Sequence, residues 1–204
     1  MLRPNLRQRL SGSKVLLIDN RGQWTYLEER MLKELGASVL VVPNTRLPEL
    51  ERFDAVVLSG GSPRISLDEL GRVPELVDRC AELEKPLLGI CVGHQYLAVH
   101  FGGGAEPAEV PEFGPVELRL LDRGHIFSGL PERFRVWESH NDEVKHPGRL
   151  LPMASSDTCR YQALRHPELP IYGVQFHPEV NEAQFGREIF TNFLLSGGRE
   201  GRFI

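Results

Sequence analysis

In the first half of the chain, short runs of apolar residues alternate with segments whose apolar positions recur every three to four residues. Lys14 to Asp19, Ser38 to Val42, Asp54 to Ser59 and Leu87 to Ile90 are short and nearly continuous in apolar character, the mark of strands buried on both faces. Between them lie helical patterns: Thr25 to Leu35 with Gly36 as a stop, Pro74 to Leu83, and Gly93 to Phe101, halted by the glycines at 102 to 104. This alternation predicts an α/β fold, a mostly parallel open sheet flanked by helices. Beyond Phe101 the pattern changes. Val116 to Leu121, Arg133 to Trp137, Leu150 to Ser155, Tyr161 to Arg165 and Ile171 to Gln175 read as successive strands on short turns, a smaller and partly antiparallel region. An amphipathic helix from about Glu182 to Leu195 closes the pattern, and no repeat or low-complexity tract interrupts it.

Composition narrows the setting. A chain of 204 residues, 41% hydrophobic, supports one substantial core and gives no reason for a second domain. Residues 1–13 carry Arg and Gln where a signal peptide needs an apolar stretch, so they are expected to be a flexible arm ahead of a domain at 14–204. A net charge of -4 offers no electrostatic case for nucleic acid or an anionic membrane, and no apolar run reaches the ~18 residues of a spanning helix. Three widely spaced cysteines make neither a disulfide framework nor a zinc set, so no metal is expected; a reactive thiol wants a reducing compartment, which points to the cytoplasm. Cys80 and Cys159 read as small core hydrophobes.

Cys91 is different because glycines stand two residues to either side of it, in Gly89-Ile90-Cys91-Val92-Gly93, where an apolar strand meets a helix. That frame permits the tight strand-to-helix turn that lifts a nucleophile above a sheet. At the N-terminus of the following helix, free N–H groups and the helix dipole favour negative charge. Near the other end lies Gln175-Phe176-His177-Pro178-Glu179. Alone, His-Pro-Glu reads as a surface turn. With the elbow present it reads as a base and the carboxylate that orients it, since residues two apart in an extended segment point to the same side. Cys91, His177 and Glu179 then form a catalytic triad. Leu58-Ser59-Gly60-Gly61-Ser62-Pro63 follows a strand and lacks the Lys and Ser/Thr of a phosphate loop. On the residues alone, Gly61 stays open between a turn and a backbone oxyanion donor.

Gly89 to Gln95, Phe101-Gly102-Gly103 and Gly173 to Glu179 resemble the signature blocks of the class I, triad-type glutamine amidotransferases. Ile18 to Thr25, Val136 to Val144, Leu169 to Tyr172 and Val180 are similar to one branch, the stand-alone glutaminase subunit of archaeal-type GMP synthase. The resemblance runs from about Lys14 to about Leu195. It implies hydrolysis of L-glutamine to glutamate and ammonia through a thioester on Cys91, with the backbone N–H groups of Gly61 and Val92 as the oxyanion hole. It also implies that Gln95, Ser139, His140, Asn141 and Asp142 bind glutamine, partly through backbone atoms. Read as residues, His94 is a structural helix histidine, His140 a loop organiser, and Trp24 and Trp137 packing residues. No cofactor is expected in this chain; ATP and Mg belong to the partner, the GMP synthase ATP-pyrophosphatase subunit that converts XMP to GMP. Three departures from the family pattern stand near the site: Arg21, the order Ser62-Pro63, and Asn181-Glu182-Ala183. The alternatives are a partner-independent γ-glutamyl hydrolase, the glutaminase subunit of another amidotransferase, and a catalytically silent subunit.

Overall fold

The computed structural model describes residues 12–65 and 68–196, together with Leu10. Of the arm expected at 1–13, positions 1–9 and 11 lie outside the described residues; Leu10 is buried in the core, and the Ser13 carbonyl accepts the Ser38 N–H at 2.8 Å. The strands are β1 (Lys14–Asn20), β2 (Ser38–Pro43), β3 (Ala55–Gly61), β4 (Leu87–Ile90), β5 (Gly104–Leu120), β6 (Arg133–His146), β7 (Leu151–Ser155), β8 (Ala163–Arg165) and β9 (Ile171–Val174). The helices are α1 (Thr25–Glu34), α2 (Val73–Glu82), α3 (Val92–His100) and α4 (Gly186–Leu195). All nine strands among the described residues join one sheet in the order β2-β1-β3-β4-β9-β8-β7-β5-β6.

The sheet changes character at β9. From β2 to β9 the pairings are parallel, and from β9 to β6 they are antiparallel. The antiparallel strands therefore continue the parallel sheet rather than forming a layer of their own. Successive residues of the parallel strands feed opposite faces, as the two-residue period of a strand requires. Val15, Leu17, Val57, Leu88 and Ile90 join one buried cluster, with Leu32 of α1 and Ile189, Phe190 and Phe193 of α4. Leu16, Ile18, Val56, Leu58 and Leu87 join the other, with Leu76 and Val77 of α2 and Leu97 of α3. Each such fully buried side chain is worth about 1.5–3 kcal/mol against exposure, so both faces hold the short strands in register.

The predicted elements of the first half are found with ends shifted by a residue or two. The second half differs more. In place of short strands at Val116 to Leu121 and Arg133 to Trp137, β5 and β6 form a long hairpin paired from Gly104↔His146 to Arg119↔Arg133. Pro107, Pro111 and Pro115 hid its first arm, because proline lacks the N–H of a ladder. A register shift between Pro107 and Glu112 takes in Pro111, while Pro115 stays in register opposite Trp137, and buried polar residues, Glu112 among them, replace the expected apolar alternation.

Candidate active site

Cys91 sits at the carboxyl end of β4 and caps the N-terminus of α3 with φ 48° and ψ -104°, a conformation that costs a non-glycine residue roughly 1–3 kcal/mol. Packing imposes it. A Cβ on Gly89 would lie 2.6 Å from the backbone carbon of Gly93, and one on Gly93 would lie 2.8 Å from the Leu58 carbonyl oxygen. Both glycines let α3 start hard against the sheet, which fixes the turn between them. The Cys91 N–H donates to the Val174 carbonyl at 2.8 Å, tying the elbow to the end of β9. As the first helical residue, Val92 has an N–H that no turn of α3 can use.

His177 and Glu179 lie just beyond β9, and not on an extended segment. The Val180 N–H returns to the His177 carbonyl at 3.3 Å, so His-Pro-Glu is a turn. Imidazole and carboxylate still meet: His177 Nδ1 is 2.7 Å from Glu179 Oε1. The His177 N–H donates to the Trp137 carbonyl at 2.8 Å, anchoring the turn to β6. Burial opposes a charged imidazole here, but the Glu179 charge, then hydrogen bonds with Cys91 and Glu179, outweigh it and hold His177 well above the usual histidine range. With Nδ1 given to Glu179, Nε2 is left for the thiol. A Cβ on Gly60 would fall 2.8 Å from His177 Cε1 and 3.6 Å from Cys91 Cβ, so only glycine fits beside the pair.

A cavity of about 270 Å³ opens over this pair, lined by Trp24, Gly60, Gly61, Cys91, Ser139 and His177 among others. It is small beside the ~300–1,000 Å³ typical of drug-sized ligands. Gly61 must be glycine because a Cβ would meet the Asn20 carbonyl at 2.2 Å. Arg21, also on the rim, has φ 64°, a left-handed conformation that glycine would adopt without strain.

The expected glutamine-binding residues divide. Ser139 lines the cavity, with its carbonyl 3.9 Å from Cys91 Sγ. Gln95 is buried behind the wall, donating to the Asp142 carbonyl at 2.6 Å and to Gln175 Oε1 at 3.2 Å. His140 is buried, with Nδ1 3.1 Å from the Asp142 carbonyl and Nε2 2.9 Å from Glu112 Oε2. Asn141 is exposed. The Asp142 carboxylate is held by both Nε and Nη2 of Arg64, at 3.1 and 2.9 Å. His94 has the structural place expected of it: buried, Nε2 against the Tyr161 carbonyl at 2.9 Å, its pKa lowered by burial to about 4.

Two contributors, Glu28 and Gln175, escaped the sequence reading, and Trp24 has a partner it did not name. Glu28, buried on α1, accepts the Gly60 N–H at 3.1 Å; burial and then the Glu179 charge raise its pKa well above the carboxylate range. Gln175 donates to Cys91 Sγ at 3.6 Å. Trp24 packs as expected, but its partner is the His177 ring, edge-on with centroids 4.5 Å apart. A Glu that meets Gly60 only in space carries no local signal, so none of these could be read from spacing.

Known proteins match this chain along most of its length. The family model described as glutamine amidotransferase class-I matches residues 16–196. The glutamine-hydrolysing GMP synthase subunit of Thermoplasma acidophilum is 46% identical over 185 residues, covering 89% of this chain and 91% of that one. The protein of the same name from Pyrococcus furiosus is 42% identical over 183 residues, covering 88% and 96%. The crystal structure of a GMP synthase subunit from T. acidophilum superposes with a TM-score of 0.85 at 45% identity, covering 91% of this chain and 94% of that one. A thiol on a strained elbow, beside a carboxylate-bound histidine, thus lies within a chain that matches along nearly its whole length, and the protein belongs to the class-I glutamine amidotransferase family.

Proposed function

We propose that this chain is the glutaminase subunit of a two-chain GMP synthase, releasing ammonia from L-glutamine for a separate ATP-using subunit that aminates XMP. The observation that carries the chemistry is the buried contact of His177 with Glu179, next to Cys91 at the base of a small cavity. The names of the relatives, glutamine-hydrolysing GMP synthase subunits, support the acceptor.

The reaction uses the residues in sequence. The Cys91 thiolate attacks the side-chain amide carbon, and the N–H groups of Gly61 and Val92 receive the developing oxyanion; one such donor typically lowers the barrier by about 3 kcal/mol. His177, charged by the thiol proton, passes that proton to the leaving nitrogen, and the C–N bond breaks to give ammonia and a glutamyl thioester. Water then attacks the thioester, His177 takes its proton, and Cys91 leaves as glutamate forms. Glu179 keeps the ring oriented and charged without turning over. Ser139 on the cavity wall, with Asp142 of the same strand and its partner Arg64 outside that lining, selects free glutamine. ATP and Mg²⁺ act on the partner, and the cytoplasm is the compartment that keeps Cys91 reduced. Among the described residues no helix is long and apolar enough to cross a membrane.

The test is glutamine-dependent GMP formation from XMP and Mg-ATP, using this chain with a purified archaeal-type ATP-pyrophosphatase subunit and Cys91→Ala as control. GMP with the wild type and none with the variant is expected. Glutamate without GMP would leave the glutaminase standing and overturn the acceptor.

A further inference from the structure

Behind the cavity wall, β6 presents alternate residues to opposite sides. Ser139 faces the cavity, while Glu138 and His140 turn inward against Glu112 of β5, the cross-strand partner of His140. All three are buried, and their nearest ligand atoms lie within 4.8 Å of one another. His140 Nε2 is 2.9 Å from Glu112 Oε2 and 3.5 Å from Glu138 Oε2.

The hydrogen bonding around the group is lopsided. Glu112 is supported on every side: Gln162 Nε2 at 2.7 Å, Ser156 Oγ at 2.8 Å, and the Thr158 hydroxyl donate to it. Glu138, its side chain fully buried, has no hydrogen bond of ordinary geometry at either oxygen, the Gln162 side chain standing close enough for only a weak one. Gln162 Oε1 is also buried without a donor. A carboxylate left so costs several kcal/mol unless a cation or a proton reaches it.

We propose that Glu112, Glu138 and His140 form a divalent transition-metal site of the zinc or manganese class in the core behind Cys91. The donor set of one imidazole and two carboxylates suits such ions. Ligands about 2.0–2.2 Å from an ion lie roughly 2.9–3.5 Å apart, which matches the two edges from His140 Nε2. The outer contacts suit it as well. His140 Nδ1 faces the Asp142 carbonyl, which fixes the ring and leaves the Nε2 lone pair inward, and Glu112 is steadied by its own donors. Gln162 Oε1 is a further oxygen in the same wall. The ion would pin the strand that carries the Ser139 carbonyl and brace the site without entering the reaction.

The test is metal content of the purified full chain by mass spectrometry, with melting temperature and visible absorption on adding Zn²⁺, Mn²⁺ or Co²⁺ after chelator treatment. About one equivalent, a raised melting temperature and Co²⁺ absorption bands are expected in the wild type and in Cys91→Ser, which removes the other thiol–imidazole site for an ion. Glu138→Gln, which keeps the shape and removes one anionic ligand, is expected to bind at least about tenfold more weakly. Failure of all three ions to bind or to shift melting overturns the proposal. So does an ion that survives Glu138→Gln but is lost in Cys91→Ser. A metal-free Glu138→Gln more stable than a wild type that binds no ion would show that a proton neutralises Glu138 instead.

Discussion

Replacing Gly186 by alanine pits two effects of opposite sign against each other. Gly186 opens α4, and by helix propensity alone alanine stabilises such a position by up to about 1 kcal/mol. Yet a Cβ there would stand 1.8 Å from the carbonyl oxygen of Pro178, the residue between His177 and Glu179. That is roughly 1.6–2.2 Å inside ordinary van der Waals contact, and the atom met is a backbone oxygen, so no side chain can swing away. Either α4 lifts from the core or the His-Pro-Glu turn moves. Overpacking of this kind costs about 1–3 kcal/mol, which exceeds the propensity gain; for a chain of this length a net 1–2 kcal/mol lowers the melting temperature by about 2–8 °C. A turn moved by ~1 Å takes His177 from its place beside Cys91, and displacements of that size cost about 100-fold in rate. Glutamate release and the rate of Cys91 alkylation by iodoacetamide should fall together. An alanine variant with a melting temperature at or above wild type and activity within about threefold would refute the argument, because propensity would then have won over the clash.

Glu179→Gln tests the charge on His177. Its raised folded pKa gives stability that is full below the ordinary histidine value of about 6.5 and is lost as pH climbs through the folded value. Wild type should therefore lose melting temperature from pH 6 upward more steeply than the variant, and parallel slopes would contradict the assignment. The Glu28 pKa is likewise raised in the fold, by burial and then by the Glu179 charge, so its contribution is full below about pH 4.3 and fades as pH rises through the raised value. Glu28→Gln keeps an acceptor for the Gly60 N–H and should stay within about 1 kcal/mol of wild type at neutral pH, while Glu28→Ala should cost roughly 1–3 kcal/mol in denaturant unfolding; the reverse order would be decisive against a neutral Glu28. Burial pushes the Cys80 thiol up to about 12 and Cys159 higher still, so intact-mass analysis after mild alkylation should find a single adduct, on Cys91; label on either of the others would show that the core opens.

The parallel half of the sheet was legible because strands such as Val56 to Leu58, buried on both faces, leave a short unbroken apolar run. Cys91 was legible for a different reason: close contacts force glycine at 89 and 93, and that constraint is written directly into the sequence. His177 and Glu179 were found, though by an extended-strand argument that the turn after β9 replaces. The β5–β6 hairpin was cut short because its inward face is polar, with Glu112, Glu138 and His140 where a strand pattern looks for apolar residues. Glu28 and Gln175 act across the fold on Gly60 and Cys91, and a contact between residues dozens of positions apart leaves no trace in spacing.

The insertion of β9 between β4 and β8 also bears on how the protein is made. A chain emerging from the ribosome can pair β1 to β4 and wind α3 with Cys91 at its tip while His177 has yet to be synthesised. The thiol is then a cysteine without a base. Its partner arrives only when the last strand closes the longest-range pairing of the sheet, the slow kind of step in folding. On the proposed roles of Cys91 and His177, chemical competence is withheld until β9 is in place, and a product truncated before it is expected to be inert toward glutamine without any separate inhibitor.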